Sequence, residues 1–303
     1  MTTKQRSAAE SSGLGGAARV ALVLLAAAVL ISLAGEVIEP GRPTLRLATG
    51  TTLYDAGFWE VLEPTFEERH GIVLHILYAG TGKALEWGRR GDVDLVVIHW
   101  PPAEKEFVAQ GYGVTRVPFA YNYFLIVGPA DDPAGIAGLS PEAAFRRLFE
   151  SGAGRFVSRG DSSGTHEKEK TLWAAVGFEY ETVRRALWYV EAGRGMGPTL
   201  LMTSEKQAYT LTDSGTFVAF QAKLDLVPLV AEGEMLLNVY SAIAVDPERR
   251  PGTNIEAANT MIAFLTSPEI QARIGAFKVE LYGRQLFTPC AGIPPCAVVG
   301  ADQ

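Results

Sequence analysis

The chain has 303 residues, 48% of them hydrophobic and 20% charged, with a formal net charge of −7. This composition excludes a disordered chain and supplies apolar material for one large domain or two modest ones. The acidic balance argues against nucleic acid or an anionic membrane surface as a partner, whereas a small anion answers to a local site and stays open.

Lys4, Arg6 and Arg19 precede an unbroken apolar run over residues 20–34. Fifteen such residues suit the core of an export signal and fall short of the ~20 that span a membrane. Residues 1–34 are therefore expected to be a signal peptide cut after Ala34, with a retained N-terminal anchor as the alternative. Their removal takes away three positive charges and one negative, leaving a net charge near −9.

From Thr44 onward, short apolar runs alternate with amphipathic ones. TLRLAT reads as a strand, and DAGFWEVLEPTFEERHG as a helix ended by Gly71 with Phe58, Val61, Leu62 and Phe66 on one face. IVLHILYAG is a strand, GKALEWGRRG a helix, VDLVVIH a buried strand, PAEKEFVAQGYG a helix and YNYFLIVGP a strand. After the turn-rich GPADDPAGIAGLS comes the helix PEAAFRRLFESG, with Ser140 as cap and Pro141 in its first turn. RFVS is a short strand, HEKEKTLWAAVG and PTLLMTSEKQ are helices, AYTLT is a strand and SGTFVAF a helical turn. MLLNVYSAIAV is a long strand, and IEAANTMIAFLTSPEIQARIGAF is two helices broken at Ser267-Pro268. Such alternation predicts βαβ units and a mostly parallel sheet.

The expected organisation is a first lobe of residues 44–124 plus 240–289, a second of residues 125–239, and a C-terminal tail of residues 290–303. The two cysteines, Cys290 and Cys296, fall in that tail. Export would permit a disulfide between them, and the absence of His, Asp or Glu between them argues against a metal site.

In open α/β sheets, ligands sit beyond the carboxyl ends of strands, where loops enter helices. Four such loops share one design: ATGTTLYD with Thr49, Thr51 and Thr52; YAGTGKAL with Thr81; SRGDSSGTH with Arg159, Ser162, Ser163, Gly164 and Thr165; and GRGMGPTLL with Met196 and Gly197. Small or hydroxyl residues at a helix N-terminus leave backbone N–H groups free for an anion. Any one loop taken alone is better read as a plain capped helix; four of them at strand ends point to a shared cleft. Arg159 supplies a guanidinium able to grip two oxygens of a tetrahedral anion, or else pairs with Asp161. Asp161 either stabilises its own turn or accepts a proton from a ligand. Lys83 reads as solvated, and Trp100, Tyr121 and Tyr123 as core aromatics or cleft wall.

GDSSG also resembles the nucleophile loop of trypsin-like proteases, which raises a secreted serine hydrolase using Ser163 with His99 as base. That fold is all-β, whereas this loop runs into a helix, so an anion cradle is the better reading. GTGKAL lacks the spacing of a phosphate-binding P-loop. No cofactor or resident metal is expected.

The blocks LATGTTLYDAG, YAGTGKALEWGRRGDVDLVVIH, AEKEFVAQGYG, SRGDSSGTHEKEKTLW, GRGMGPTLLMTSEKQAYTLTDSGTF and NVYSAIAV resemble, in that order, the substrate-binding component of tungstate ABC uptake systems. The resemblance runs from about Leu45 to Gly275. It implies an α/β, two-lobed periplasmic-binding-protein-like fold with the ligand in the inter-lobe cleft. It also implies a function, capture of tungstate, or molybdate, through its oxygens and delivery to an ABC permease outside the cytoplasm. Thr49, Thr51, Thr52, Thr81, Arg159, Ser162, Ser163, Gly164, Thr165, Met196 and Gly197 match its ligand loops. Gly50 stands where the family usually has a hydroxyl, and Tyr123 where it commonly has Asp. A phosphate-binding protein is the alternative: phosphate keeps a proton and needs an acceptor, which Asp161 would supply.

Overall fold

The computed structural model describes residues 41–294. The apolar run over residues 20–34 and Cys296 lie outside the described residues. Cys290 is buried and disulfide-bonded. Among the described residues no helix is long and apolar enough to cross a membrane.

The first strand, β1 (Thr44–Gly50), pairs in parallel with β2 (Val73–Ala79) on one side and with β3 (Leu95–Ile98) on the other. The helices Phe58–His70 and Thr81–Arg90 connect them in the βαβ manner the sequence predicts. The amphipathic stretch after β1 is two helices, Thr51–Asp55 and Phe58–His70, because Gly57 turns with φ 73° between them, a conformation glycine adopts without strain.

The mostly parallel sheet expected from alternation holds only locally. β9 (Leu237–Val245) runs antiparallel to β3 and to β4 (Gly113–Gly128), and β4 also takes antiparallel partners in β7 (Thr210–Asp213), β8 (Val227–Val230) and β10 (Thr288–Pro289). The reason lies in the connections: β4 follows β3 through the single helix Pro101–Ala109, and β9, which enters only after β8, inserts antiparallel between the two. β5 (Phe156–Ser158) and β6 (Tyr189–Glu191) form a separate parallel pair.

β4 is longer than the run YNYFLIVGP suggested, at 16 residues. It pairs with β9 from Gly113 to Tyr123 and with β7 from Phe124 to Val127. Around Phe124, Phe145, Phe156, Trp173 and Tyr209 lies one apolar core. A larger core built on Leu45, Leu47, Phe58, Phe66 and Phe119 also takes in Met196, Leu200, Phe217 and Val218, so it gathers residues from both sides of the boundary drawn at 124/125. The strands Thr44–Gly50, Val73–Ala79 and Phe156–Ser158 each end where a loop enters a helix.

Candidate anion-binding site

Four helices away from these strand ends begin with a side-chain cap, whereas others, such as Phe58–His70 after Gly57, do not. Ser140, Asp213, Asn254 and Ser267 each accept a hydrogen bond from a first-turn N–H. At three of the four loops the N-cap is instead a glycine, Gly50, Gly80 or Gly195, and no side chain caps the helix. Without a side-chain cap, the first-turn N–H groups there turn to neighbouring loops, as at Gly82 and Gly197, or are left for a ligand oxygen. The hydroxyls that sequence reading treated as ordinary caps are therefore not spent as caps there. At the fourth loop Ser163 does cap the helix Gly164–Ala175, its Oγ accepting from the His166 N–H at 3.3 Å.

Contacts between loops bring them into one place. The Arg159 Nη2 donates to Thr51 Oγ1 at 2.9 Å, and the Gly82 N–H donates to the Ser162 carbonyl at 3.3 Å. The Gly197 N–H donates to Asp55 Oδ2 at 3.3 Å. A Cβ on Gly80 would lie 3.0 Å from the Asp161 carbonyl oxygen, a crowding that glycine avoids.

Within this cluster, several donors have no partner among the described residues. Arg159 is 1% exposed, and its Nε and Nη1 are unpaired, as are the buried hydroxyls of Thr81 and Thr165. An unsatisfied buried donor costs about 1–3 kcal/mol, and more when charged, so these four together fit a place where a ligand supplies acceptors, although Arg116 Nη1 and Nη2 and Ser241 Oγ also lack partners away from the cluster. The remaining Arg159 nitrogen, Nη2, also pairs with Asp161 Oδ2 at 2.5 Å. The other oxygen of Asp161 accepts from the Ser163 N–H at 3.2 Å, so this carboxylate braces the turn on both sides.

The other sequence-selected residues fall as follows. Thr49 is buried, with its hydroxyl accepting from the Trp59 indole at 3.1 Å. Thr52 is buried, with Oγ1 3.1 Å from His99 Nε2. Ser162 is exposed in a left-handed conformation (φ 54°), its N–H donating to His166 Nδ1 at 3.0 Å. Gly164, Met196 and Gly197 are buried at helix starts. Thus Thr51, Thr81, Arg159, Ser163 and Thr165 lie among the loop contacts and free donors, whereas the side chains of Thr49 and Ser162 do not. Lys83 lies outside, its ammonium paired with Glu86 on the surface.

Sequence reading missed the support beneath these loops. His99 Nδ1 lies 2.8 Å from Asn238 Oδ1, Asn238 Nδ2 donates to Asn122 Oδ1 at 2.8 Å, and Asn122 Nδ2 reaches Asp213 Oδ1 at 3.5 Å. Asp213 also accepts from the N–H and hydroxyl of Thr216. A carboxylate only accepts, which orients Asn122, then Asn238, and leaves His99 with its proton on Nδ1 and a lone pair on Nε2 for the Thr52 hydroxyl. Burial holds the His99 pKa down at about 4, so the ring is neutral. Two asparagines in strand patterns carry no sequence signal of this role. A strand ending in histidine does, and His99 had drawn notice as a base. Behind the third loop, Ser158, Trp173 and Tyr189 donate to the buried Glu169, whose pKa burial raises to about 7.

His99 spends both ring nitrogens on Thr52 and Asn238, and Ser163 Oγ caps a helix, so these two do not form a nucleophile–base pair. Among the described residues no group of three His, Cys, Asp or Glu is arranged to hold a metal ion.

A family model described as a PBP superfamily domain matches residues 37–269. The chain belongs to the PBP superfamily. Within it, the chain is 39% identical to the tungstate-binding protein TupA of Peptoclostridium acidaminophilum over 276 residues, covering 90% of this chain and 95% of that protein. The solved structure of the tungstate-binding protein TupA from Desulfovibrio alaskensis G20 is 41% identical with a TM-score of 0.69, covering 82% of this chain and 99% of that one. The structure of the tungstate ABC transporter from Geobacter sulfurreducens is 43% identical, also with a TM-score of 0.69, over 77% of this chain and 98% of that one. This PBP chain shares their mixed α/β architecture of a curled sheet flanked by helices.

Proposed function

We propose that this protein is an extracytoplasmic substrate-binding protein that captures one tetrahedral oxyanion, tungstate or molybdate, and hands it to an ABC permease. One observation carries the reading: the buried Arg159 Nε and Nη1 and the Thr81 and Thr165 hydroxyls are donors without partners, beside glycine-capped helix starts. Tungstate and molybdate are full dianions, so a site of donors alone suits them. The 39–43% identical relatives named for tungstate support the same reading. The anion lies between a lobe of residues 44–124 plus 240–289 and a lobe of residues 125–239, and tungsten is held only through its oxygens. The protein is not an enzyme. Export rests on the signal-like residues 1–34, and the disulfide of Cys290 fits an oxidising compartment.

Phosphate needs an acceptor for its proton; Asp161 accepts from Arg159 and Ser163 with one oxygen each, and its remaining lone pairs keep phosphate as the second reading. Calorimetric titration of the protein, unfolded and refolded to strip bound anion, tests the reading. Tungstate should bind one-to-one, with sulfate and phosphate silent or far weaker. No heat from tungstate, molybdate, sulfate or phosphate, or heat from phosphate alone, would overturn it.

A further inference from the structure

We infer that His99 is a positioning residue that sets the width of the anion cradle, and thereby selects among tetrahedral dianions by size. The inference rests on the oxyanion reading of the site. Tungstate and sulfate carry the same charge, so choice between them has to come from the spacing of the donors.

The His99 ring is wedged between the first and third loops. A Cβ on Gly164, at the start of the third loop's helix, would lie 2.8 Å from His99 Cε1 and 3.0 and 3.1 Å from its two nitrogens. A Cβ on Gly50, at the N-cap of the first loop's helix, would lie 3.5 Å from His99 Cδ2. The backbones carrying Thr51 and Thr165 therefore both rest on one rigid ring. Glycine at 164 is what lets the third loop approach the ring, whereas at 50 even a Cβ would meet it at ordinary van der Waals distance.

The ring is held in place from all sides. It is 3% exposed. Thr52 and Asn238 take its nitrogens, and the Tyr240 and Phe124 rings pack against it with centroids 5.1 and 6.1 Å away. Close-packed interiors pass a change of width to their neighbours rather than absorbing it. A thinner or looser side chain at residue 99 would let the first and third loops settle closer, and the Arg159–Thr51 contact spans that same gap.

Two replacements separate width from polarity. His99→Gln keeps a donor and an acceptor but loses the flat ring; His99→Phe keeps a ring and loses both hydrogen bonds. Each is titrated with tungstate, molybdate and sulfate beside the unaltered protein, and its folding is checked by thermal melting. In His99→Gln the tungstate-to-sulfate affinity ratio should fall about tenfold or more, while His99→Phe should hold it within about threefold even if both affinities drop. A ratio unchanged within about twofold in folded His99→Gln would overturn the inference, as would a loss in Phe with retention in Gln. If His99→Phe does not fold, His99→Gln alone decides. Failure of the unaltered protein to bind any of the anions would instead remove the underlying reading, and this inference with it.

Discussion

Replacing Arg159 with lysine keeps the positive charge and removes the fork. In the folded protein Nη2 is occupied by Thr51 and Asp161, while Nε and Nη1 are buried with no protein partner. Cδ separates these two donors, so a bidentate grip on an oxyanion joins either of them to Nη2 along a shared edge of the guanidinium. A lysine ammonium can satisfy Asp161 or reach the ligand, but it cannot reproduce two parallel bonds from one planar group. Losing one charge-assisted hydrogen bond costs about 1.5–3 kcal/mol, which at 1.4 kcal/mol per factor of ten is roughly a 10- to 150-fold weaker tungstate affinity. Arg159→Ala is the coarser perturbation, because it also strips the partly buried Asp161 of its counter-charge and loosens the turn. The assay is calorimetry on anion-free protein, with tungstate displaced by molybdate where binding is too tight to read directly. Arg159→Lys binding within about twofold of the unaltered protein would refute the argument that the unpaired guanidinium donors face the ligand.

Thr81→Val and Thr165→Val each delete a buried hydroxyl with no protein partner at nearly constant volume. Each should weaken tungstate binding by roughly two- to tenfold, on the ordinary worth of a hydrogen bond, while leaving the anion-free protein as stable or more so. Lower melting temperature with unchanged affinity would show the hydroxyls to be structural. Stability should also depend on pH in two opposed ways. Neutral His99 and His166, held down at about 4 chiefly by burial, resist protons that the unfolded chain accepts below 6.5, so their contribution is lost as pH falls from 6.5 toward 4. Glu169, raised to about 7, holds a proton that the unfolded chain releases near 4.5, so its contribution is present below 4.5 and lost as pH rises through 7. Glu169→Gln mimics the protonated acid. Its melting temperature should approach that of the unaltered protein near pH 4.5 and gain on it toward pH 8; a constant gap would reject the raised pKa.

The helices and strands were legible because their signals are local. Pro141 behind Ser140, and Ser267-Pro268 between two helices, mark boundaries through chemistry confined to a few residues, and the structure places helix starts there. The direction of β9 was not legible, since pairing direction depends on where a strand returns from and not on its composition. At the site, the four Gly- and hydroxyl-rich loops stood out as a set. Which hydroxyl faces what did not: Thr49 and Thr51 are two residues apart, yet one meets the Trp59 indole and the other Arg159. The asparagines at 122 and 238 were invisible for a related reason. Their partners are 91 to 139 residues away in the chain, and only the sheet brings them together.

The change of partner along β4, from β9 up to Tyr123 to β7 from Phe124, leaves no separate linker there for the two halves to swing on. Whatever bending accompanies uptake and release has to pass through a continuous ribbon of backbone. Asn122 and Asp213 lie at that junction, and Asn238 sits opposite Asn122 on β9. The bonds that fix the orientation of His99 are thus the ones a flexing sheet would shear first. On the proposed function, opening the molecule and slackening its grip on the anion become one mechanical event.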